Sequence, residues 1–395
     1  MDTDKKLYLI SNVISFLFYF FFINIIFNPY IGNRTIYLYA LLPVFDIRFI
    51  LYIIRSIRKN YKEAVIYTGI IFWLYFVNLE IGLKASILIW CLLFMNYSFK
   101  FSLSYLLIFI IINIALALVQ AVSFFYFPKL FIILQPSSIS KFMWGDLATL
   151  TGGPVTRNLG FNLAVSGLSR EPGFFSSLIM SVFLLYTGIK ENILKHRGIV
   201  LIILIMGILL SISKSTIALA LLLFLYPIKN RIEKIRPAYI FIGFLLLVLS
   251  AVLCLSHIGM YNNMSSSWII RTSGYRYIFD ADWLALLKGI PASKIYSAPS
   301  LPEYLRIIET EGRSIRPNDF FHGLGGFIVH EGIISFLLLI YLFERKKVDG
   351  FKTLAFLLLT STMYLTATTS YIILAWYLCF VRVEPLDLML RQKIN

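Results

Sequence analysis

The chain reads as a series of long apolar runs separated by short polar clusters. A helix that crosses a bilayer needs about 20 mainly apolar residues. Runs of that kind fall at about 7–27, 36–54, 64–80, 82–98 and 102–127. A second set lies at about 173–189, 198–212, 215–228, 238–258, 320–343, 351–367 and 369–383. The pattern predicts an all-α, polytopic membrane protein of about twelve transmembrane helices, forming a single integral membrane domain over residues 1–395. Residues 351–383 are nearly continuous, with only Thr366 to Ser370 suggesting a turn, so eleven spans is the alternative count.

Two connections are too long to be simple turns, residues 128–172 and 259–319. The second carries Phe279, Trp283, Leu286 and Leu287, then Tyr304, Ile307 and Ile308, at roughly helical spacing. That spacing predicts short helices lying in the membrane interface.

Composition agrees with lipid as the solvent. With 59% hydrophobic and only 14% charged residues, the chain has too little polar material to cover a soluble globule of its size. The net charge of +16 raises the question of nucleic acid, but the Lys and Arg residues sit in short clusters between apolar runs and form no basic domain. Short cation-rich loops stay in the cytoplasm, which assigns that side to Arg55, Arg58, Lys59 and Lys62, to Lys229, Arg231, Lys234 and Arg236, and to Arg345, Lys346 and Lys347. Both termini then lie in the cytoplasm and both long connections face the opposite side. Lys5 and Lys6 precede the first run with no convincing cleavage site after it, so that run is expected to stay as an anchor. Cys91, Cys254 and Cys379 each lie within an apolar run without ligand spacing, and neither a disulfide framework nor a zinc site is expected.

The anomaly is a set of cations on the side where cations are scarce: Arg157, Arg170, Lys214, Arg271 and Arg276. Lys214 lies in Ser211-Ile-Ser-Lys-Ser-Thr216, a short turn between apolar runs, where it either snorkels to lipid headgroups or clamps an anion. The segment Ser169-Arg-Glu-Pro-Gly-Phe-Phe175 opens a helix, with Pro172 suited to the first turn. Arg170 and Glu171 stand at that entrance. Glu171 either satisfies the helix end or Arg170, or is a carboxylate placed to take a proton. In Arg271-Thr-Ser-Gly-Tyr-Arg276, two guanidinium groups suit phosphate oxygens, with an ordinary ion pair to Asp280 or Asp282 as the alternative. The second connection returns through Asn318-Asp-Phe-Phe-His322 into a glycine-rich helix that contains His330-Glu-Gly332. His322 is a candidate proton acceptor. The two histidines, eight apart and without a third ligand, make a poor metal site, and no metal is expected.

Together, Arg-Glu-Pro-Gly at 170–173, Ser-Lys-Ser at 213–215 and Gly-Tyr-Arg276 ahead of a long loop ending in Asn318-Asp-Phe resemble the O-antigen polymerase and ligase superfamily of Wzy-type membrane glycosyltransferases. The resemblance implies an inner-membrane enzyme of bacteria with its active site facing the periplasm. It would join undecaprenyl-diphosphate-linked oligosaccharide repeat units without metal or other cofactor, alongside a chain-length regulator protein. It implies that Arg170, Arg276 and Lys214, with Arg157 and Arg271 nearby, hold the lipid diphosphate, and that Glu171 or His322 is the base. Tyr275, Tyr277, Trp283, Asn318 and Asp319 are the candidates for sugar contacts. This chain has Lys214 where a Ser-Arg turn is commoner, and it lacks a His-Asn pair at the loop exit, where ligases often carry one. The rival readings are a ligase, a lipid-linked sugar transporter or flippase, and a scaffold. A transporter would place charges along a path through the membrane, and Asp46 and Arg48 are the main mid-span charges that the sequence offers.

Overall fold

The structure is a computed structural model that describes residues 3–31, 34–148, 155–157, 162–187, 197–211, 220–222, 224–261, 266–291, 294–295, 321–361, 363 and 365–380. It is overwhelmingly helical. Among the described residues five helices are long and apolar enough to cross a membrane: Lys5–Ile23, Leu79–Ser98, Ser104–Tyr126, Pro237–His257 and Gly323–Arg345. Four shorter apolar helices accompany them. The chain groups into two compact units, one of residues 1–61, 89–223 and 381–395, the other of 62–88 and 224–380.

The first unit is built on α1 (Thr3–Ile23), whose aromatic face is fully buried at Phe18, Tyr19 and Phe22. Phe94 of α5 (Leu79–Tyr126) packs 4.8 Å from the Phe18 ring. A short hairpin, β1 (Tyr30–Ile31) with β2 (Arg34–Thr35), turns the chain back along α1.

The expected straight span over 36–54 is broken there into α2 (Leu38–Leu41), a 3-10 turn containing Pro43, and α3 (Ile47–Lys59). Pro43 lacks an N–H for helix propagation. Asp46 then restarts the helix, its carboxylate accepting from Phe49 N at 3.1 Å and from Ser11 Oγ of α1 at 2.9 Å. A hydrophobicity count sees one run where backbone capping makes two pieces.

The described parts of the 128–172 connection include α6 (Pro128–Ile133), α7 (Pro136–Trp144) and the paired strands β3 (Val155–Arg157) and β4 (Asn162–Ala164), in the register Arg157↔Asn162. The chain then enters α8 (Pro172–Thr187), buried continuously from Phe175 to Tyr186, which packs on α9 (Arg197–Ser211).

The second unit begins with α4 (Tyr61–Val77), which meets α5 through a tight turn where Asn78 Oδ1 accepts from Glu80 N at 2.8 Å. After the short α10 (Lys229–Ile232), Pro237 occupies the first turn of α11 (Pro237–His257), and Glu344 accepts from Ala238 N at 3.1 Å. Then come α12 (Ser266–Asp280), α13 (Trp283–Lys288), α14 (Gly323–Arg345), α15 (Gly350–Thr360) and α16 (Ser370–Phe380).

The apolar stretch 351–383 is thus divided between Thr360 and Ser370. Each piece is 11 residues long, about 16 Å at the helical rise. The Phe343, Phe356 and Trp376 rings join α14, α15 and α16, with centroid separations of 5.1 Å and 4.9 Å.

Candidate functional site

In the first unit, what positions Arg170 and Glu171 is the loop just before them. Two amide side chains of α5 reach across to its backbone. Asn113 Oδ1 accepts from Leu168 N at 2.6 Å, while Gln120 accepts from Gly167 N and donates to Gly167 O, both at 3.0 Å. These bonds satisfy buried backbone groups that would otherwise lose water without replacement. Gly167 has φ +54, and a Cβ there would come within 2.6 Å of Asn113 Oδ1, so only glycine fits.

The chain is therefore held on both sides of Arg170, since α8 starts immediately afterwards with Pro172 in its first turn and Phe175 N bonded to Glu171 O at 3.0 Å. Arg170 is half-buried and Glu171 exposed, and the two form no ion pair among the described residues. The Arg170 Nε is buried without a hydrogen-bond partner among the described residues. The result is a cation carried on a pinned stretch of backbone, next in sequence to an exposed carboxylate, at the N-terminal end of a buried helix where anions are favoured.

Arg157 lies in β3, and its side chain is outside the described residues, as is all of Lys214.

In the second unit the candidates gather where α12 crosses α14. The crossing is close because both helices present glycine. A Cβ on Gly274 would come within 2.5 Å of Gly326 N and 2.7 Å of Gly325 C. Tyr275 beside it is buried against Gly325, and burial holds its phenol above the ordinary range. The ring has no open face for stacking on a sugar.

Arg271 and Arg276 are five positions apart on a regular helix, so they leave it about 140° apart. Arg276 lies 3.4 Å from Asp280, and Asp282 instead caps α13, accepting from Leu284 N and Ala285 N. Tyr277 is half-buried, its phenol also raised by burial and then by Asp280. Trp283 at the start of α13 is 65% exposed.

His322 forms the entrance to α14, half-buried, with its backbone N donating to Ile270 O at 3.3 Å. The residue before it, Phe321, is buried in a left-handed conformation with φ 56. A bulky residue pays strain to sit there. Its ring lies 5.2 Å from Tyr277 and 5.4 Å from His330, which links the α12 face to the buried part of α14. Asn318 and Asp319 lie outside the described residues.

Deeper in α14 is a feature whose environment the sequence did not disclose. The helix breaks at Gly332, with φ 88, and the preceding Glu331 is only 1% exposed. Its Oε1 accepts from Thr366 Oγ1 at 3.4 Å, while Oε2 has no hydrogen-bond partner among the described residues. His330 Nδ1 contacts Ile290 O at 3.0 Å, and Lys84, itself 2.9 Å from Glu80, is near enough to act electrostatically on both His330 and Glu331. The legible signal was a carboxylate inside an apolar run followed by glycine. Among the described residues no three His, Cys, Asp or Glu side chains gather to hold a metal.

Comparison of the chain with protein-family models, with curated proteins and with solved structures gives no match.

Proposed function

We propose that the chain is a glycosyltransferase of the bacterial inner membrane that polymerises undecaprenyl-diphosphate-linked oligosaccharide repeat units on the periplasmic face. The observation that carries this reading is the α8 entrance. There an arginine follows a loop whose backbone is pinned, has a buried nitrogen without a hydrogen-bond partner among the described residues, and is next in sequence to an exposed glutamate.

In the proposed reaction an acceptor sugar hydroxyl attacks the anomeric carbon of the donor from the face opposite the diphosphate. The new C–O bond forms as the bond to the diphosphate oxygen breaks, which inverts the anomeric configuration. Negative charge grows on the leaving phosphate, and Arg170 is assigned to neutralise it. Lys214, Arg157, Arg271 and Arg276 are assigned as further cations for the donor. The hydroxyl proton passes to Glu171 or to His322. Trp283 and Tyr277 keep ring surface available for sugars, and Asn318 and Asp319 are assigned to the acceptor. Partners are the lipid-linked donor and acceptor, the surrounding lipids and a chain-length regulator.

The test is reconstitution of the purified protein with a lipid-linked repeat unit. A lengthening ladder of products supports the polymerase. A single transfer to a lipid A core acceptor identifies a ligase instead. Normal elongation by Arg170→Ala would remove the central assignment.

A second reading, a lipid-linked sugar transporter, is favoured by one observation: the buried Glu331 beside the break in α14, since broken helices and deep carboxylates recur in transport sites. Movement of the lipid-linked sugar across vesicles without new glycosidic bonds would establish it.

A further inference from the structure

We infer that α3 is an in-plane membrane anchor that binds the headgroups of anionic phospholipids. The helix has three distinct sides. At about 100° per residue, Phe49, Ile53 and Ser56 share one side. Phe49 is fully buried, its ring 5.0 Å from both Trp90 and Phe94 of α5, and Ile53 and Ser56 are half-buried.

A second side carries Ile47, Leu51 and Ile54, within about 60° of one another, and these stay between 43% and 61% exposed. A third carries Arg48, Arg55 and Lys59 within about 40°, immediately next to the exposed apolar stripe. Arg58, a fourth cation, falls in line with Leu51 and Ile54 and closes the apolar side in the last turn of the helix. No acidic residue occurs between Asp46 and Glu63, so nothing in α3 neutralises the stripe from within.

The depth of the helix follows from its attachment to α1. The capping residue Asp46 is bonded to Ser11, and the Arg48 guanidinium lies 5.8 Å over the Tyr8 ring. Tyr8 and Ser11 are within the first two turns of the apolar stretch that begins at Lys5, with Lys6 beside it. The start of α3 is therefore at the charged end of a membrane helix, near the bilayer surface. Its 13 residues cover about 20 Å, short of the about 30 Å hydrocarbon layer, and four cations bar it from that layer. An apolar stripe bordered by Arg and Lys is satisfied at the boundary between acyl chains and headgroups. There the stripe enters lipid and the cations extend to phosphate. The cations select an anionic leaflet, whose negative surface potential attracts Lys and Arg side chains near it.

The test uses the full chain, with its native cysteines replaced and helical content checked, reconstituted into vesicles of phosphatidylcholine alone or mixed with phosphatidylglycerol. A spin label introduced through Leu51→Cys is expected in the acyl region, accessible to oxygen and shielded from a water-soluble nickel reagent. One introduced through Arg55→Cys is expected at headgroup depth. Nickel access at position 51 overturns the inference, as does label-to-label broadening, which would mean that a second copy covers the stripe.

Independently, the triple variant R48Q/R55Q/K59Q is expected to keep its fold and to lose at least tenfold in preference for phosphatidylglycerol over phosphatidylcholine among co-purified lipids. An unchanged preference would overturn the anionic-lipid assignment.

Discussion

The α8 entrance and the α12–α14 crossing hold the two main groups of candidate residues, and they treat those residues differently. At the α8 entrance the structural work is done by Asn113, Gln120 and Gly167, whose bonds hold the backbone ahead of the half-buried Arg170 and the exposed Glu171. At the crossing the candidates themselves do structural work. Tyr275 fills the glycine contact, Arg276 pairs with Asp280, and Tyr277 leans on the strained Phe321. A group whose hydrogen-bonding capacity is already engaged gives up that engagement when it takes a ligand, and a group held in place with capacity to spare does not. In the proposed reaction the first region is therefore assigned the chemistry and the second the framework.

The largest effect expected is on that assignment. Arg170→Ala should lower elongation about 100-fold or more, the scale for losing one preorganised stabilising group, with the unfolding temperature in detergent unchanged. A comparable loss of thermal stability would move Arg170 to the framework side.

Next comes Gly274→Ala, which drives a methyl group into the Gly325–Gly326 backbone and should destabilise the second unit by about 3 kcal/mol, as for overpacking elsewhere. Gly173→Ala at the α8 entrance meets nothing within 4 Å and should leave the melting curve unchanged or slightly raised. If both melt alike, the contrast in packing is wrong.

Asn113→Ala strands the buried Leu168 N–H and should cost about 2 kcal/mol. It should also lower turnover by loosening Arg170, which thermal melts and steady-state assays of one preparation separate. Arg276→Ala should reduce elongation only about tenfold. Its stability should change by less than about 0.5 kcal/mol, because a partly exposed pair four residues apart contributes little. A loss equal to that of Arg170→Ala would erase the distinction between the regions.

The smallest effect concerns Tyr261, whose phenol burial pushes up to about 12 while it shares a 3.0 Å hydrogen bond with Thr272. A folded-state value above the unfolded value near 10 means that the unfolded chain releases its proton first. The contribution is complete below pH 10 and is lost as pH rises toward 12. Tyr261→Phe should flatten that part of a stability profile measured by denaturant unfolding.

Much of the helical layout was legible because apolar runs and helix-starting prolines are local signals. Pro172 does open α8, and the division after Thr360 falls close to the turn suggested at Thr366 to Ser370. The break in the span at 36–54 is not legible in the sequence, since Pro43 and Asp46 lie in a run apolar enough to average over, and the capping partner Ser11 is 35 residues away. The charged residues 170, 171, 271, 276 and 322 could be picked out as types. Whether they were engaged could not, because that depends on neighbours distant in sequence or on the helical phase that sets Arg271 and Arg276 apart.

By itself the sequence determined that this chain is helical and suited to lipid, since composition and run length depend only on how many apolar residues follow one another. It also determined where cations and carboxylates stand along the chain. Only the tertiary structure decided which of them are occupied, that α14 breaks beside a buried carboxylate, and that α3 rests on its Phe49 side with cations and apolar residues turned outward. Those outcomes depend on contacts made across tens to hundreds of residues, where one amide, one cap or one missing Cβ selects among arrangements that local propensity leaves equal.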